Sequence, residues 1–184
     1  MILTDREIRV ALENRTLAID PPPSDEAYSS TSVDLTLGSE AHIWRQSKLK
    51  GVEQIITPGL AGFSFSDFRG EFAEKIEIGT GSEGEVLQPR DFLLGWTAEK
   101  VDLPISSRLA ARVEGKSSLA RLGICVHITA PTIHAGFNGR LQLEFCNLGP
   151  LKIRLSAGMR VCQLVFEQTL GTPDTGYVGQ FKGQ

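Results

Sequence analysis

The sequence is poor in the residues that build disulfide frameworks and zinc sites. It has three cysteines in 184 residues, Cys125, Cys146 and Cys162, and no two of them form a C-x-x-C pair. Because an odd, scattered set of cysteines does not make a disulfide framework, we expect all three to be small buried hydrophobic side chains. The H-x-E with P-C-x-x-C and the H-E-x-x-H motifs of common zinc enzymes are also absent. The sequence therefore speaks against a zinc site.

Long apolar runs and an excess of positive charge are missing as well. No stretch approaches about 18 uninterrupted apolar residues, and residues 1–15 carry charges throughout, without the apolar core of a signal peptide. We therefore expect a cytoplasmic protein that does not span a membrane. The 19 Lys and Arg residues stand against 22 Asp and Glu, for a net charge of -3. A dedicated nucleic-acid binder would show a basic footprint, so a bound polyanion would have to meet a local basic cluster.

The sequence predicts one helix, at the N-terminus, and many short strands after it. Thr4 and Glu7 make a capping box, so residues 4–14 should form a short amphipathic helix. From residue 21 onward, short alternating apolar runs are separated by Gly, Pro and Asp, which indicates an all-β protein. These runs lie at 33–37, 75–78, 92–96, 109–113, 124–128, 141–145, 153–155 and 161–166. Such a series predicts a barrel, jelly roll or sandwich.

The domain organisation is expected to be simple. We find no internal repeat and no linker, so residues 1–184 should form a single domain. The region 46–84, rich in glycine and phenylalanine, is less regular than the rest. It is either a long excursion from the sheet or a subunit contact.

The segment 114–123, EGKSSLARLG, offers a lysine, two serines and an arginine. A Walker P-loop would need a glycine where the chain has Ala110, so that fold is excluded. Ser117 is placed to cap a helix, with Arg121 four residues later on the same side. A helix N-terminus with such neighbours can bind an anion. A capped surface turn without a ligand explains the same residues, and the pattern leaves both interpretations open.

The segment 141–149, LQLEFCNLG, places a carboxylate on a strand. Its apolar residues alternate with Gln142, Glu144 and Cys146, so Glu144 lies on the face opposite the leucines. Glu144 is therefore either a solvated residue of an edge strand or, if the turn at 147–150 helps to enclose a cleft, a general acid and base. No G-x-S-x-G elbow is present, which does not favour Ser117 as a nucleophile.

The run GKSSLARLGICVHITAPTIHAGFNGRLQLEFCNLGP, with the later LSAGMRVCQLVFE and the earlier SVDLTLG, closely resembles the dCTP deaminase family of the trimeric dUTPase-like β-barrel superfamily. The likeness covers most of the chain and is most specific around residues 115–166. It implies a mainly β, distorted jelly-roll subunit with a short N-terminal helix, and a homotrimer with active sites between neighbours. The implied reaction is hydrolysis of dCTP to dUTP and ammonia, without zinc, on the route to dTTP precursors.

The resemblance also implies roles for individual residues. Glu144 matches the family's catalytic glutamate, which takes a proton from water and passes it to the departing amine. Ser117 would hold that water, and Arg121 would orient the site. The backbone near Ala130 would approach the edge of the pyrimidine, where it could read the amino group.

Phosphate contacts are implied in the same way. Lys116 and Ser118 match triphosphate contacts of the family, although the family often has Arg at the first of these positions. At this position the lysine offers a single compact ammonium group, whereas arginine would offer a guanidinium that can bind a phosphate through two parallel N–H groups. Mg²⁺ would be bound mainly by the phosphates. The tail GQFKGQ resembles the segment that folds over the nucleotide, so Phe181, Lys182 and Gln184 would complete the site.

The motif IHAGFNG departs from the trimeric dUTPases, which have Asp where His134 stands and Tyr where Phe137 stands. A simple dUTPase is therefore disfavoured, and His134 and Phe137 either lie beside the deoxyribose or, for His134, only shape a hairpin. Two alternatives stay open: a bifunctional enzyme that carries dCTP on to dUMP and pyrophosphate, and a non-catalytic nucleotide sensor on the same fold. Whether dTTP inhibits is also left open.

Overall fold

One curled ten-stranded sheet organises the fold, in a computed structural model that describes residues 1–45, 49 and 55–177. The strands are β1 (Ala18–Asp20), β2 (Tyr28–Ser29), β3 (Ser32–Trp44), β4 (Glu74–Glu77), β5 (Glu85–Leu87), β6 (Phe92–Asp102), β7 (Leu109–Gly115), β8 (Ile124–Cys125), β9 (Thr132–Ile133), β10 (Asn138–Asn147), β11 (Ile153–Leu155) and β12 (Arg160–Gln168). The path through the large sheet is β8-β10-β6-β3-β12-β7-β9, with β1 on β6 and both β2 and β4 on β3. Strands β5 and β11 form a separate pair. The predicted mainly β fold class is confirmed.

Every predicted apolar run coincides with a strand, but the lengths differ. The runs at 33–37 and 92–96 are the first parts of longer strands, and the run at 141–145 is the centre of one. The run at 124–128 pairs only as Ile124–Cys125, because the chain then leaves the ladder and turns its Ile128 N–H toward a carboxylate of β10. The two- and three-residue strands β1, β2, β5 and β9 were not predicted, since such short pieces show no periodicity.

Three α-helices accompany the described part of the chain: α1 (Asp5–Glu13), α2 (Phe65–Phe72) and α3 (Ser117–Ala120). Short 3₁₀ turns occupy Asp25–Ala27, Gly81–Glu83 and Ile105–Ser107. Thr4 is the N-cap of α1 as predicted, but its side chain bonds no backbone N–H of the helix, and its hydroxyl instead donates to the Glu7 carboxylate. None of these helices in the described ranges is long and apolar enough to cross a membrane.

Helix α2 was not predicted, although a start signal exists. Ser64 precedes it, and its hydroxyl accepts a hydrogen bond from the Asp67 N–H at 3.3 Å. An S-x-x-D pattern is therefore readable before the helix. Gly70 and several phenylalanines within it lower the intrinsic helix propensity, which masks that signal. The irregular region 46–84 thus contains α2 and β4 in its described part.

The core lies inside the curl of the ten-stranded sheet. Strand β3 sits near the middle of the sheet and is buried along most of its length, whereas β10 alternates buried and half-buried residues. Fully buried side chains come from β3, β6, β10 and β12, and include Leu35, Leu37, Leu93, Leu143, Phe145 and Phe166. Because buried and half-buried residues alternate along β10, the side chains on its outer face remain accessible to a ligand.

The expectation that all three cysteines are buried was correct for Cys162 only. Cys162 lies in the core, and burial there raises the pKa of its thiol far above the ordinary range. Cys125 and Cys146 are half-buried, because Cys146 lies on the outer face of β10 and Cys125 lies opposite it. All three thiols are free.

Truncation of a buried leucine in β12 should measure how much the core contributes to the free energy of unfolding. Leu164 in β12 is fully buried, so Leu164→Ala should lower the free energy of unfolding by about 2–5 kcal/mol through lost burial and a cavity. Leu170 is 99% exposed, and Leu170→Ala makes the same chemical change with an expected effect within about 0.5 kcal/mol. Urea titrations at equal protein concentration compare the two. Equal losses would contradict this assignment of the core.

Candidate active site

A cavity of about 650 Å³ lies over β6 and β10, a volume typical of small-molecule sites. Aromatic side chains make up much of its wall: Phe63, Phe65, Phe92, Phe137 and Tyr177. Planar rings of this kind can pack against a planar ligand. The cavity is therefore suited to a flat, partly apolar molecule.

The polar side of the cavity is the outer face of β10. Arg140, Gln142 and Glu144 follow one another there at every second residue, and all three line the cavity. Gln142 has a buried Nε2 atom without a hydrogen-bond partner in the structure, so this donor is available to an acceptor on a ligand. Arg140 is already paired with Glu40 at 3.5 Å. The face thus presents a donor beside a carboxylate.

Glu144 is held in place by the chain that follows β8. Its Oε2 atom accepts a hydrogen bond from the Ile128 N–H at 3.2 Å. It pairs with Leu94 of β6 across the ladder, and its side chain is half-buried in the cavity wall rather than fully solvated. A carboxylate that is oriented by a backbone N–H and faces an apolar cavity has the position that a general base requires.

The opposite wall is built around Tyr177, which sequence reasoning did not select. Its ring stacks on His134 with centroids 6.0 Å apart and contacts Phe137 at 5.9 Å. Its N–H donates to the Ala135 carbonyl at 3.0 Å, which fastens this late segment to the hairpin before β10. The available signal was weak: a tyrosine, one of only two in the chain, inside a stretch of Gly, Thr and Pro.

The predicted site residues that the structure describes fall into two groups. Glu144, Ala130, His134 and Phe137 all line the cavity. The residues of the 116–121 segment do not: Lys116, Ser117, Ser118 and Arg121 are absent from its wall. Phe181, Lys182 and Gln184 lie outside the described residues. Half of the predicted site residues that the structure describes therefore line the cavity of one chain.

The 116–121 segment forms the short helix α3 beside β8. The prediction that Ser117 caps this helix was wrong by one residue: Lys116 is the N-cap, and Ser117 begins the helix. Ser117, Ser118 and Arg121 are exposed. After α3, Gly123 has φ +88° and lies so close to Gly149 that a Cβ atom would meet its backbone nitrogen at 2.4 Å. Glycine at both positions thus lets β8 turn in beside β10.

Lys116 makes an ion pair that sequence reasoning did not predict. Its Nζ atom lies 2.5 Å from Oδ2 of Asp34, a β3 carboxylate that is 6% exposed. The other carboxylate oxygen, Oδ1, is buried without a hydrogen-bond partner in the structure. Because an ammonium group has three donors, Lys116 can hold Asp34 and still donate to an anion from solvent.

Within residues 1–45, 49 and 55–177, no group of three or more His, Cys, Asp and Glu side chains could hold a metal ion. The polar groups that line the cavity are instead a carboxylate, an amide, a guanidinium, an imidazole and two hydroxyls, from Glu144, Gln142, Arg140, His134, Thr132 and Tyr177.

Comparison with known proteins places these features in a context. A family model described as dCTP deaminase-like matches residues 2–169. The dCTP deaminase of Rhodospirillum rubrum is 38% identical over 177 residues, which is 96% of this chain and 87% of that protein. A dUMP-forming dCTP deaminase of Methanobrevibacter smithii is also 38% identical, over 94% of this chain and 82% of that protein.

Solved structures give the same picture for the fold. The crystal structure of 2'-deoxycytidine 5'-triphosphate deaminase from Agrobacterium tumefaciens superposes with a TM-score of 0.66 at 26% identity. It covers 90% of this chain, whereas this chain spans about half, 47%, of that chain. A mutant dUTPase from phage phi11 of S. aureus, 12% identical, shares the fold with a TM-score of 0.51 over 90% of this chain and 97% of that chain.

Proposed function

The chain belongs to the dCTP deaminase-like family, and we propose that it hydrolyses the 4-amino group of dCTP to give dUTP and ammonia. The observation that carries this proposal is Glu144, a half-buried carboxylate that faces an aromatic-lined cavity of about 650 Å³. The cavity accepts the cytosine ring, and the carboxylate lies where a water molecule can be activated beside it. The reaction belongs to pyrimidine deoxynucleotide metabolism.

Glu144 serves as base and then as acid. Attack at C4 of the ring needs a water molecule that is losing a proton, and the carboxylate accepts that proton. The same proton then passes to N4, and the proton of the new C4 hydroxyl group passes to N3, so that the amino group leaves as ammonia and the C4 carbonyl of uracil forms. The Ile128 N–H donates to Oε2 and so fixes the orientation of the carboxylate during both transfers. No zinc is needed for these steps.

The remaining catalytic groups come from the 116–121 segment of a neighbouring subunit. In one chain, Ser117 and Arg121 are exposed and do not line the cavity. A homotrimer with sites between neighbours, as in the family resemblance, brings these residues to the next subunit's Glu144. Ser117 then holds the attacking water, and Arg121 orients the site. The exposed side chains of Leu122 and Ile128 near this edge offer apolar surface for the contact.

The triphosphate binds at the start of α3 and under the tail. Lys116 and Ser118 contact the phosphates, and the ammonium group of Lys116 does so while it keeps its bond to Asp34. Mg²⁺ enters with the triphosphate as part of the substrate. Ala130, His134 and Phe137 bind the base and sugar, and Phe181, Lys182 and Gln184 close over the nucleotide.

A second candidate function is the bifunctional reaction, which continues from dCTP to dUMP and pyrophosphate. The observation in its favour is that several relatives, including the one from Methanobrevibacter smithii, are named as dUMP-forming. The two reactions would share the cavity and the triphosphate contacts. They differ in a second hydrolysis, in which a water molecule cleaves the bond between the α- and β-phosphates of dUTP.

Product analysis decides between these functions. Purified protein incubated with dCTP and Mg²⁺ should yield equal amounts of ammonia and dUTP, resolved by chromatography, with no dUMP. Equal amounts of dUMP and pyrophosphate would instead establish the bifunctional reaction. Tight binding of dCTP without any turnover would indicate a nucleotide sensor and would contradict both proposals. The same incubation with added dTTP tests for inhibition.

A further inference from the structure

Two free thiols face each other beside the proposed site. Strands β8 and β10 pair antiparallel, with Cys125 directly opposite Cys146. Directly opposite residues of an antiparallel pair have Cα atoms about 4.5–5.5 Å apart, and a disulfide requires a Cα separation of about 4.4–6.8 Å. Their side chains also project from the same face of the sheet. The Cα separation expected of this pair therefore lies within the range of a disulfide.

The two thiols differ in access. Cys125 lines a second cavity, of about 300 Å³, together with Gly115, Ala120 and Leu148. Cys146 does not line that cavity, and burial, followed by the proximity of Cys125 and Glu144, raises the pKa of its thiol. Cys125 is thus the thiol that an oxidant reaches first, and Cys146 is the neighbouring thiol that then reacts with the oxidised Cys125.

We propose that Cys125 and Cys146 form a redox-active dithiol that a peroxide converts to a disulfide. The Cys125 sulfur attacks the peroxide and becomes a sulfenic acid, and one water molecule leaves when hydrogen peroxide is the oxidant. The Cys146 sulfur then displaces the hydroxyl group, which leaves with the Cys146 proton as a second water molecule. Two electrons pass from the two sulfurs to the peroxide. Thiol reductants reverse the change.

The disulfide would alter the position of Glu144. Cys146 follows Glu144 by two residues on the same face of β10, and the chain after Cys125 carries the Ile128 N–H that donates to Glu144. Facing Cβ atoms about 4.5–5.5 Å apart must approach to about 3.5–4.5 Å, which draws residues 125–128 against β10. Oxidation should therefore lower ammonia release. This consequence rests on the proposed function, whereas the disulfide itself does not.

The third cysteine provides an internal control. Cys162 is fully buried in β12, and its thiol pKa is strongly raised by burial. Because the thiolate is the reactive form, Cys162 should stay reduced in the folded protein.

Trypsin separates the three positions, since cleavage after Lys and Arg gives peptides 122–140, 141–152 and 161–182 with one cysteine each.

The experiment is mass spectrometry of tryptic peptides after peroxide treatment of the folded protein, with remaining thiols blocked before digestion. Peptides 122–140 and 141–152 should appear linked, lighter than their sum by two hydrogen atoms, and should separate after treatment with dithiothreitol. Cys125→Ser and Cys146→Ser should each remove the linked pair, and Cys162→Ala should retain it. Separate oxidation of the two thiols to sulfinic acids, or their persistence as thiols, would overturn the proposal.

An activity measurement on the same samples tests the consequence for the site. Ammonia release should fall on oxidation and return with dithiothreitol, and Cys125→Ser should be insensitive to peroxide. A disulfide that forms without any loss of turnover would overturn the effect on Glu144. If the reduced protein does not turn over dCTP at all, the proposed function fails alone, because the linked peptides are detected without nucleotide.

Discussion

Replacing Glu144 with glutamine is expected to remove ammonia release from dCTP almost completely. General acid and base catalysis contributes about 10²- to 10⁴-fold to a rate, and Glu144 performs both proton transfers in the proposed reaction. Glutamine keeps the length and shape of the side chain, and its carbonyl oxygen can still accept the Ile128 N–H that now bonds to Glu144 at 3.2 Å. It cannot accept and return a proton. The effect should therefore fall on kcat rather than on folding.

Two measurements accompany this variant. Calorimetry should show that Glu144→Gln binds dCTP within a few-fold of the unmodified protein, because the aromatic walls of the cavity are unchanged. Glu13→Gln makes the same chemical change at an exposed residue of α1 and should retain full activity. A Glu144→Gln variant that releases ammonia at the normal rate would remove the basis of the proposed mechanism.

Mixing two inactive variants should restore activity, if active sites are shared between subunits. Glu144→Gln lacks the base, and Arg121→Ala lacks the orienting guanidinium that the neighbouring subunit supplies. When the two are unfolded together in equal amounts and refolded, random assembly gives about one quarter of sites with both groups intact. Activity should rise from near zero to about that fraction of the unmodified protein.

The outcome depends on which chain completes each site. If Glu144 and Arg121 of one chain acted together, every site in the mixture would lack one group and activity would stay near zero. Arg6→Ala, at an exposed arginine of α1, should be fully active alone and is the matched control for loss of an arginine. Sedimentation of the mixed sample checks the assembly itself, since a stable monomer would argue against shared sites.

The parts of this structure that follow from local pattern could be predicted, and those that depend on distant partners could not. Alternation around Glu144 places it on the cavity face of β10, because a strand has a period of two. The ion pair between Lys116 and Asp34 joins residues 82 positions apart, and no local pattern carries that information. The same holds for Tyr177, whose role depends on where a late segment docks.

The division of the expected site residues has a different cause. The 116–121 segment was recognised by its composition and resemblance, yet its side chains do not reach the cavity of their own chain. In the proposed trimer these residues act in the site of a neighbouring copy, and a sequence does not say which copy of the chain supplies a residue. The expected position of Ser117 at the N-cap also shifted by one residue, which is the usual uncertainty of a helix boundary.

The position of β12 in the sheet has a consequence for how the chain folds. This strand is the last one in the described sequence, yet it lies between β3 and β7. It pairs with β3 residues more than a hundred positions earlier, as Leu164 does with Val33. Pairing over such separations is costly in chain entropy and makes folding slow. While the chain is being synthesised, the edges of β3 and β7 that pair with β12 remain unpaired until residues 160–168 have been made. Refolding should accordingly be slow, and a newly made chain should be most prone to aggregate just before this strand is inserted.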